Sequence, residues 1–154
     1  MRNVIAVKTA TVVALMLVIG GFAFATDPGN LRFNRYPWEH WGYTVIGYNG
    51  TANGELVIPA THNGFPVTAI GDFAFRNHQL TSLVLPEGIT HIGFNAFLDN
   101  RLTNVVFPDS IRNIAEGAFQ GNQLVNVDFP QNANFFGSTF SRPSFDPNVT
   151  ITRR

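Results

Sequence analysis

Residues 80–101 read LTSLVLPEGITHIGFNAFLDNR, and residues 102–123 read LTNVVFPDSIRNIAEGAFQGNQ. The two segments match column by column, and a shorter match, LVNVDFPQNANFFGSTF, follows at residues 124–140. A repeat of 22 residues indicates a solenoid, in which each copy forms one coil. The matched columns contain Leu80, Leu102 and Leu124; Pro86, Pro108 and Pro130; Phe75, Phe97 and Phe119; Val67, Ile89 and Ile111; and Ile70, Ile92 and Ile114.

Each copy carries an alternating segment that predicts a strand. Leu83 and Leu85 would share one face, with Ser82 and Val84 on the other, and Pro86 would end the strand because proline has no N–H. One copy cannot bury its apolar face alone, whereas stacked copies place like residues about 4.8 Å apart on a parallel ladder. We therefore predict a β-rich α/β solenoid of about three and a half units.

Two further columns are predicted to be internal. Phe75, Phe97 and Phe119, each preceded by alanine, would form a spine, which helps to explain why 15 of the 20 aromatic residues are phenylalanine. Asn100 and Asn122 stand two residues before the next leucine, where a buried asparagine could bond the backbone of the turns. His78 would be an irregular member of that row.

The ends of the array depart from the repeat. An earlier unit begins at Leu56 and rejoins the register at Val67, after five extra residues. Residues 56–140 are thus predicted to be repeats, and residues 36–55, rich in aromatic and turn residues, a β-hairpin cap. Residues 26–35 are predicted to be a polar leader, and residues 141–154 a C-terminal cap or tail. Just before that tail, Phe140 stands one residue earlier than the phenylalanine column predicts. Within the tail, Val149, Thr150 and Ile151 could add a last short strand.

The first 25 residues have the pattern of a secretory signal peptide. Arg2 and Lys8 precede an uncharged apolar stretch, which ends at the cleavage pattern Ala23-Phe24-Ala25. The apolar run is shorter than the roughly 20 residues that span a bilayer, so cleavage is favoured over a retained anchor. The mature chain would have 129 residues, eight arginines, no lysine and a net charge of −2. We expect an exported protein that is secreted, periplasmic or on the outer surface.

Composition and motifs exclude several classes of function. The chain has no cysteine and a formal net charge of zero, which argue against disulfides, thiolate metal sites and nucleic-acid binding. The P-loop, G-x-S-x-G, H-E-x-x-H and G-x-G-x-x-G motifs are absent from the sequence, and its four histidines lack metal-ligand spacing. We predict no catalytic, cofactor-binding or metal-binding residue and no enzyme activity. After signal cleavage, no contact with a membrane is expected.

The outward strand positions form two rows that are candidates for a protein-binding surface. The alternative interpretation is that the outward valines bind no partner and occur only because β-branched residues favour strands. The two rows contain Glu55, Ser82, Asn104 and Asn126, and Val57, Val84, Val106 and Asp128.

An aromatic cluster near the N-terminus supports a second hypothesis. Exposed aromatic rings stack on sugars, so the cluster could bind carbohydrate. The alternative is that the rings cover the first coil as a cap, which would give the same sequence composition. The cluster contains Tyr36, Trp38, Trp41, Tyr43 and Tyr48.

The repeat pattern L-x-x-[LV]-x-[LF]-P-x-x-I-x-x-I-[GA]-x-x-A-F resembles the BspA-like, or Treponema pallidum-type, leucine-rich repeat over about residues 56–140. The resemblance implies a bacterial secreted or surface protein, because members of the family include adhesins for host matrix proteins or other bacteria. Many relatives carry cysteine where this chain has Asn100 and Asn122, and the array here is short.

These observations favour a non-enzymatic repeat protein that contacts a protein partner, such as host extracellular matrix or another bacterial surface protein. The alternatives are a carbohydrate-binding module that uses the aromatic cluster and a structural fragment of a larger adhesin.

Overall fold

The computed structural model of the protein describes residues 27–35, 42–135 and 144–154. The predicted signal peptide therefore lies outside the described residues. The elements in chain order are the 3-10 helix η1 (Pro28–Asn30) and the strands β1 (Leu31–Asn34), β2 (Tyr43–Tyr48), β3 (Asn53–Val57), β4 (Thr61–His62), β5 (Phe65–Ile70), β6 (Gln79–Val84), β7 (His91–Ile92), β8 (Asn104–Val106), β9 (Asn113–Ile114), β10 (Asn126–Phe129), β11 (Asn134–Phe135) and β12 (Thr150–Arg153).

The strands form two sheets on two sides of a solenoid. The first sheet has the order β12-β10-β8-β6-β3, and all of its strands are parallel. The second sheet has the order β1-β2-β5-β7-β9-β11, with β4 paired to β5. Leu83 lies opposite Val105, and Ile92 lies opposite Ile114, so both ladders follow the 22-residue period. The predicted parallel solenoid is confirmed, and the five strands of the first sheet span four turns.

The third side of each coil consists of tight turns, and no α-helix is present in the described ranges. Asn95 and Asp99 adopt the left-handed conformation, with φ of 52° and 58°, and so do Gly117 and Gly121 in the next coil. A residue in the left-handed conformation interrupts a right-handed helix, and glycine, asparagine and aspartate adopt that conformation more readily than other residues. The α component of the predicted fold class is therefore missing from this part of the chain.

The predicted phenylalanine spine is confirmed. The rings of Phe75 and Phe97 stack with centroids 5.4 Å apart, and those of Phe97 and Phe119 stack at 5.2 Å. All three side chains are fully buried. The next described member of the column is Phe145, whose ring stacks on that of Phe119. Phe140 lies outside the described residues.

The asparagine row is also confirmed. The backbone N–H of Leu80 donates to Oδ1 of Asn100 at 3.2 Å, and Nδ2 of Asn100 donates to the carbonyls of Phe75 at 2.7 Å and Phe97 at 3.1 Å. Asn122 repeats this arrangement one coil later, with Leu102 as its donor. Each asparagine thus joins two successive coils through hydrogen bonds to backbone groups.

Both ends differ from the predicted boundaries. Residues 31–34, placed in the polar leader, form β1, which pairs antiparallel with β2 and buries Leu31. The alternation of Leu31 and Phe33 is the physical reason, because it gives this strand an apolar side. At the other end β12 pairs in parallel with β10. The predicted last strand is confirmed, and the first sheet continues past the expected end of the repeats at residue 140.

Candidate functional site

The outer face of the first sheet brings the two predicted rows together. Glu55 lies opposite Ser82, which lies opposite Asn104, and Asn126 stands at the same place in β10. In the second row Val57 lies opposite Val84, Val84 opposite Val106, and Val106 opposite Asp128. Parallel pairing in register produces this arrangement, because it places like positions of successive coils side by side.

The valine row is exposed at its centre. The exposed fraction is 45% for Val84 and 68% for Val106, whereas Val57 is partly buried. Leu83 and Val105, which alternate with them, are buried in the core. The face therefore presents two apolar side chains from adjacent strands beside the polar side chains of Ser82 and Asn104.

A cluster of charged groups ends this row. The carboxylate of Asp128 accepts hydrogen bonds from the hydroxyl of Thr152 at 3.1 Å and from Nη1 of Arg154 at 3.2 Å. Nη2 of Arg154 also contacts Asp109 at 3.0 Å and the carbonyl of Phe107 at 2.7 Å. Hydrogen bonds to Asp109 and Asp128 raise the pKa of Arg154 above its usual value. The face thus changes from apolar to polar along the solenoid axis.

The predicted aromatic surface is only partly described. Tyr36, Trp38 and Trp41 lie outside the described residues. Tyr43 and Tyr48 are partly buried and pack against the core. The ring of Tyr43 contacts Phe33 and His62 edge-on, with centroids 6.2 Å and 4.8 Å away. Both rings therefore cover part of the core.

Sequence reasoning missed an aromatic cluster built by the five-residue insertion. Strands β4 and β5 form a hairpin whose turn residues, Asn63 and Gly64, have positive φ values of 49° and 78°. The hairpin places His62 on Phe33, with stacked centroids 3.8 Å apart. The Cζ atom of Arg35 lies 4.0 Å over the ring of Phe65, which is 38% exposed. The Asn-Gly pair in the insertion was the available signal, since it favours two-residue hairpins.

Two other observations concern the described ranges as a whole. They contain no group of three or more histidine, cysteine, aspartate or glutamate side chains placed to hold a metal ion. No helix in them has the length and apolar character needed to cross a membrane.

Residues 56–152 match the model of the BspA-type leucine-rich repeat region (6 copies). The match covers more than half of the chain. The chain belongs to the BspA-type leucine-rich repeat family.

Solved structures of bacterial leucine-rich repeat proteins share the fold. A protein from Bacteroides capillosus has a TM-score of 0.65 and 20% identity, covering 84% of this chain and 97% of its own. The Treponema pallidum leucine-rich repeat protein has a TM-score of 0.56 and 19% identity, covering 84% of this chain and 64% of its own. A leucine-rich cell surface protein from Faecalibacterium prausnitzii has a TM-score of 0.52 and 21% identity, and the match covers 88% of this chain and 44% of that protein.

A search of curated proteins finds no match. Membership in the BspA-type family makes this chain a repeat scaffold of the kind that binds other proteins through an extended, regular surface.

Proposed function

We propose that this protein is a non-enzymatic, exported repeat protein that binds a protein partner through the outer face of its first sheet. The most specific form of the proposal is adhesion to host extracellular matrix or to another bacterial cell. The exposed pair Val84 and Val106 is the observation that carries it. Apolar side chains side by side on a rigid sheet lose water when a partner covers them, and that loss stabilises a complex.

The surrounding residues support the same proposal. Ser82 and Asn104 supply hydrogen-bonding groups next to the valines, as a polar rim does around an apolar interface centre. Backbone pairing between β6 and β8 holds the four side chains on a preformed surface. Because little ordering is needed on binding, the conformational part of the entropic cost of association is small.

A charge substitution tests the surface. The double variant Val84→Glu with Val106→Glu should lose binding to host matrix proteins, because two carboxylates would have to be desolvated in the interface. The matched control is Asn113→Glu with Asn134→Glu, which adds the same charge at exposed positions of the second sheet. Binding can be measured by pull-down from solubilised matrix, with circular dichroism to verify folding. Equal binding by the two folded variants would contradict the proposed surface.

Export is tested separately. We propose that residues 1–25 are a signal peptide that is removed, so the exported chain should begin at Thr26. N-terminal sequencing of the protein recovered outside the cytoplasm checks the cleavage site. Protease treatment of intact cells then distinguishes a surface-held protein, which is digested, from a periplasmic one, which is protected. Recovery only from the cytoplasm with an intact N-terminus would contradict export.

A further inference from the structure

A hydrogen bond joins the segment around Ala52 to the turn around His78. It depends on a histidine at a position where the next two coils have asparagine. His78 stands two residues before Leu80, as Asn100 and Asn122 stand before the next leucines. Its Nδ1 atom accepts a hydrogen bond from the backbone N–H of Ala52 at 2.9 Å. Ala52 is only 1% exposed, so water is a poor substitute for this acceptor.

This hydrogen bond requires a neutral imidazole. Nδ1 can accept only through its lone pair, so the ring proton must reside on Nε2. Protonation of Nδ1 would place its N–H against the N–H of Ala52 and break the bond. The amides of Asn100 and Asn122 do not titrate and keep their backbone bonds in acid. Of the three members of the row, His78 alone responds to pH.

The surroundings of His78 also favour the neutral ring. Tyr48 from β2 lies edge-on with centroids 6.4 Å apart, and the ring of Phe75 lies at 6.0 Å. Among the described residues, Tyr48 is the titratable side chain whose ring contacts the imidazole. Among the described residues no carboxylate forms an ion pair with His78. Burial lowers the pKa of His78.

We propose that His78 is an acid-sensitive joint, so that the segment around Ala52 separates locally from the turn around His78 when the imidazole takes up a proton. The folded state favours the neutral ring, so its pKa lies below the unfolded value. The stabilisation is fully present above about pH 6.5 and is lost as the pH falls through the folded pKa. Between these two values, opening of the joint should increase by up to about tenfold per pH unit.

Amide hydrogen exchange measured by NMR on the purified protein tests this inference. After correction for intrinsic exchange rates, the Ala52 amide should lose protection between about pH 7.5 and about pH 5. The amides of Leu80 and Leu102, held by Asn100 and Asn122, should keep theirs and serve as internal controls. In His78→Asn the Ala52 amide should be equally protected at both pH values. His91→Asn is the matched control and should keep the acid sensitivity.

Three results would overturn the inference: constant protection of Ala52 in the unmodified protein, an acid-induced loss shared by Leu80 and Leu102, or a loss that persists in His78→Asn. If His78→Asn fails to fold, the ring shifts of His78 can be titrated in the unmodified protein. The expected result is a pKa below about 6.5, with a loss of protection at Ala52 that levels off once the pH falls below that pKa. A ring that titrates while Ala52 stays protected would overturn the inference as well.

Discussion

The rings of Phe119 and Phe145 stack with centroids 5.2 Å apart and only 1° between their planes. The backbone N–H of Phe119 donates to the carbonyl of Ser144 at 2.8 Å, as that of Phe97 donates to Ala118. Ser144-Phe145 therefore replaces the Ala-Phe pair of the earlier coils, four residues later than a spacing of 22 predicts. The phenylalanine column continues to the C-terminal end of the described solenoid.

The spine should contribute much of the stability. Phe97→Ala removes a fully buried ring that stacks on both of its neighbours, and we expect a loss of about 3–5 kcal/mol in the free energy of unfolding. Denaturant unfolding monitored by circular dichroism measures this change. Phe73→Asn is the control at an exposed, left-handed position, where asparagine is tolerated and a small effect is expected. Similar losses for the two variants would contradict the assignment of the spine.

The asparagine row should be nearly as sensitive. Asn100→Ala leaves the N–H of Leu80 and the carbonyl of Phe75 without their partner, and each unsatisfied buried group costs about 1–3 kcal/mol. We expect a total loss of at least about 2 kcal/mol in thermal or denaturant unfolding. Asn104→Ala, an exposed asparagine in β8, should change stability by less than about 0.5 kcal/mol. A neutral effect of Asn100→Ala would show that the coils do not need this side chain.

Glycine is required at position 117 for two separate reasons. Its φ is +67°, and an added Cβ would overlap Oδ1 of the buried Asn95. Gly50 also has a positive φ, of +91°, but an added Cβ meets no atom within 4 Å. We expect Gly50→Ala to cost about 1–2 kcal/mol from backbone strain alone.

Gly117→Ala should cost about 1–3 kcal/mol more than Gly50→Ala, because Asn95 must shift within a packed interior. The difference between the two variants in chemical unfolding isolates the overlap from the strain. Equal costs would mean that Asn95 moves aside freely.

Much of the fold and part of the candidate site could be predicted from the sequence. The strands, the spine and the asparagine row follow from comparing positions one period apart, and so do the rows that contain Val84 and Val106. The aromatic surface stays a prediction, because Tyr36, Trp38 and Trp41 lie outside the described residues and composition does not show burial. Tyr43 and Tyr48 pack against the core, while the insertion adds Phe65 to the surface, where Arg35 lies over its ring.

The sequence by itself determined the period of 22, the residues that stack on their equivalents and the family. This is possible because each coil of a solenoid contacts the next at equivalent positions, so the repeat specifies both partners of a contact. Only the tertiary structure decided the contacts that the repeat does not encode: β1 against β2, Arg154 between Asp109 and Asp128, and His78 with Ala52. In each of these contacts one partner, β1, Arg154 or Ala52, has no repeated equivalent, so the repeat does not identify the contact and the path of the chain creates it.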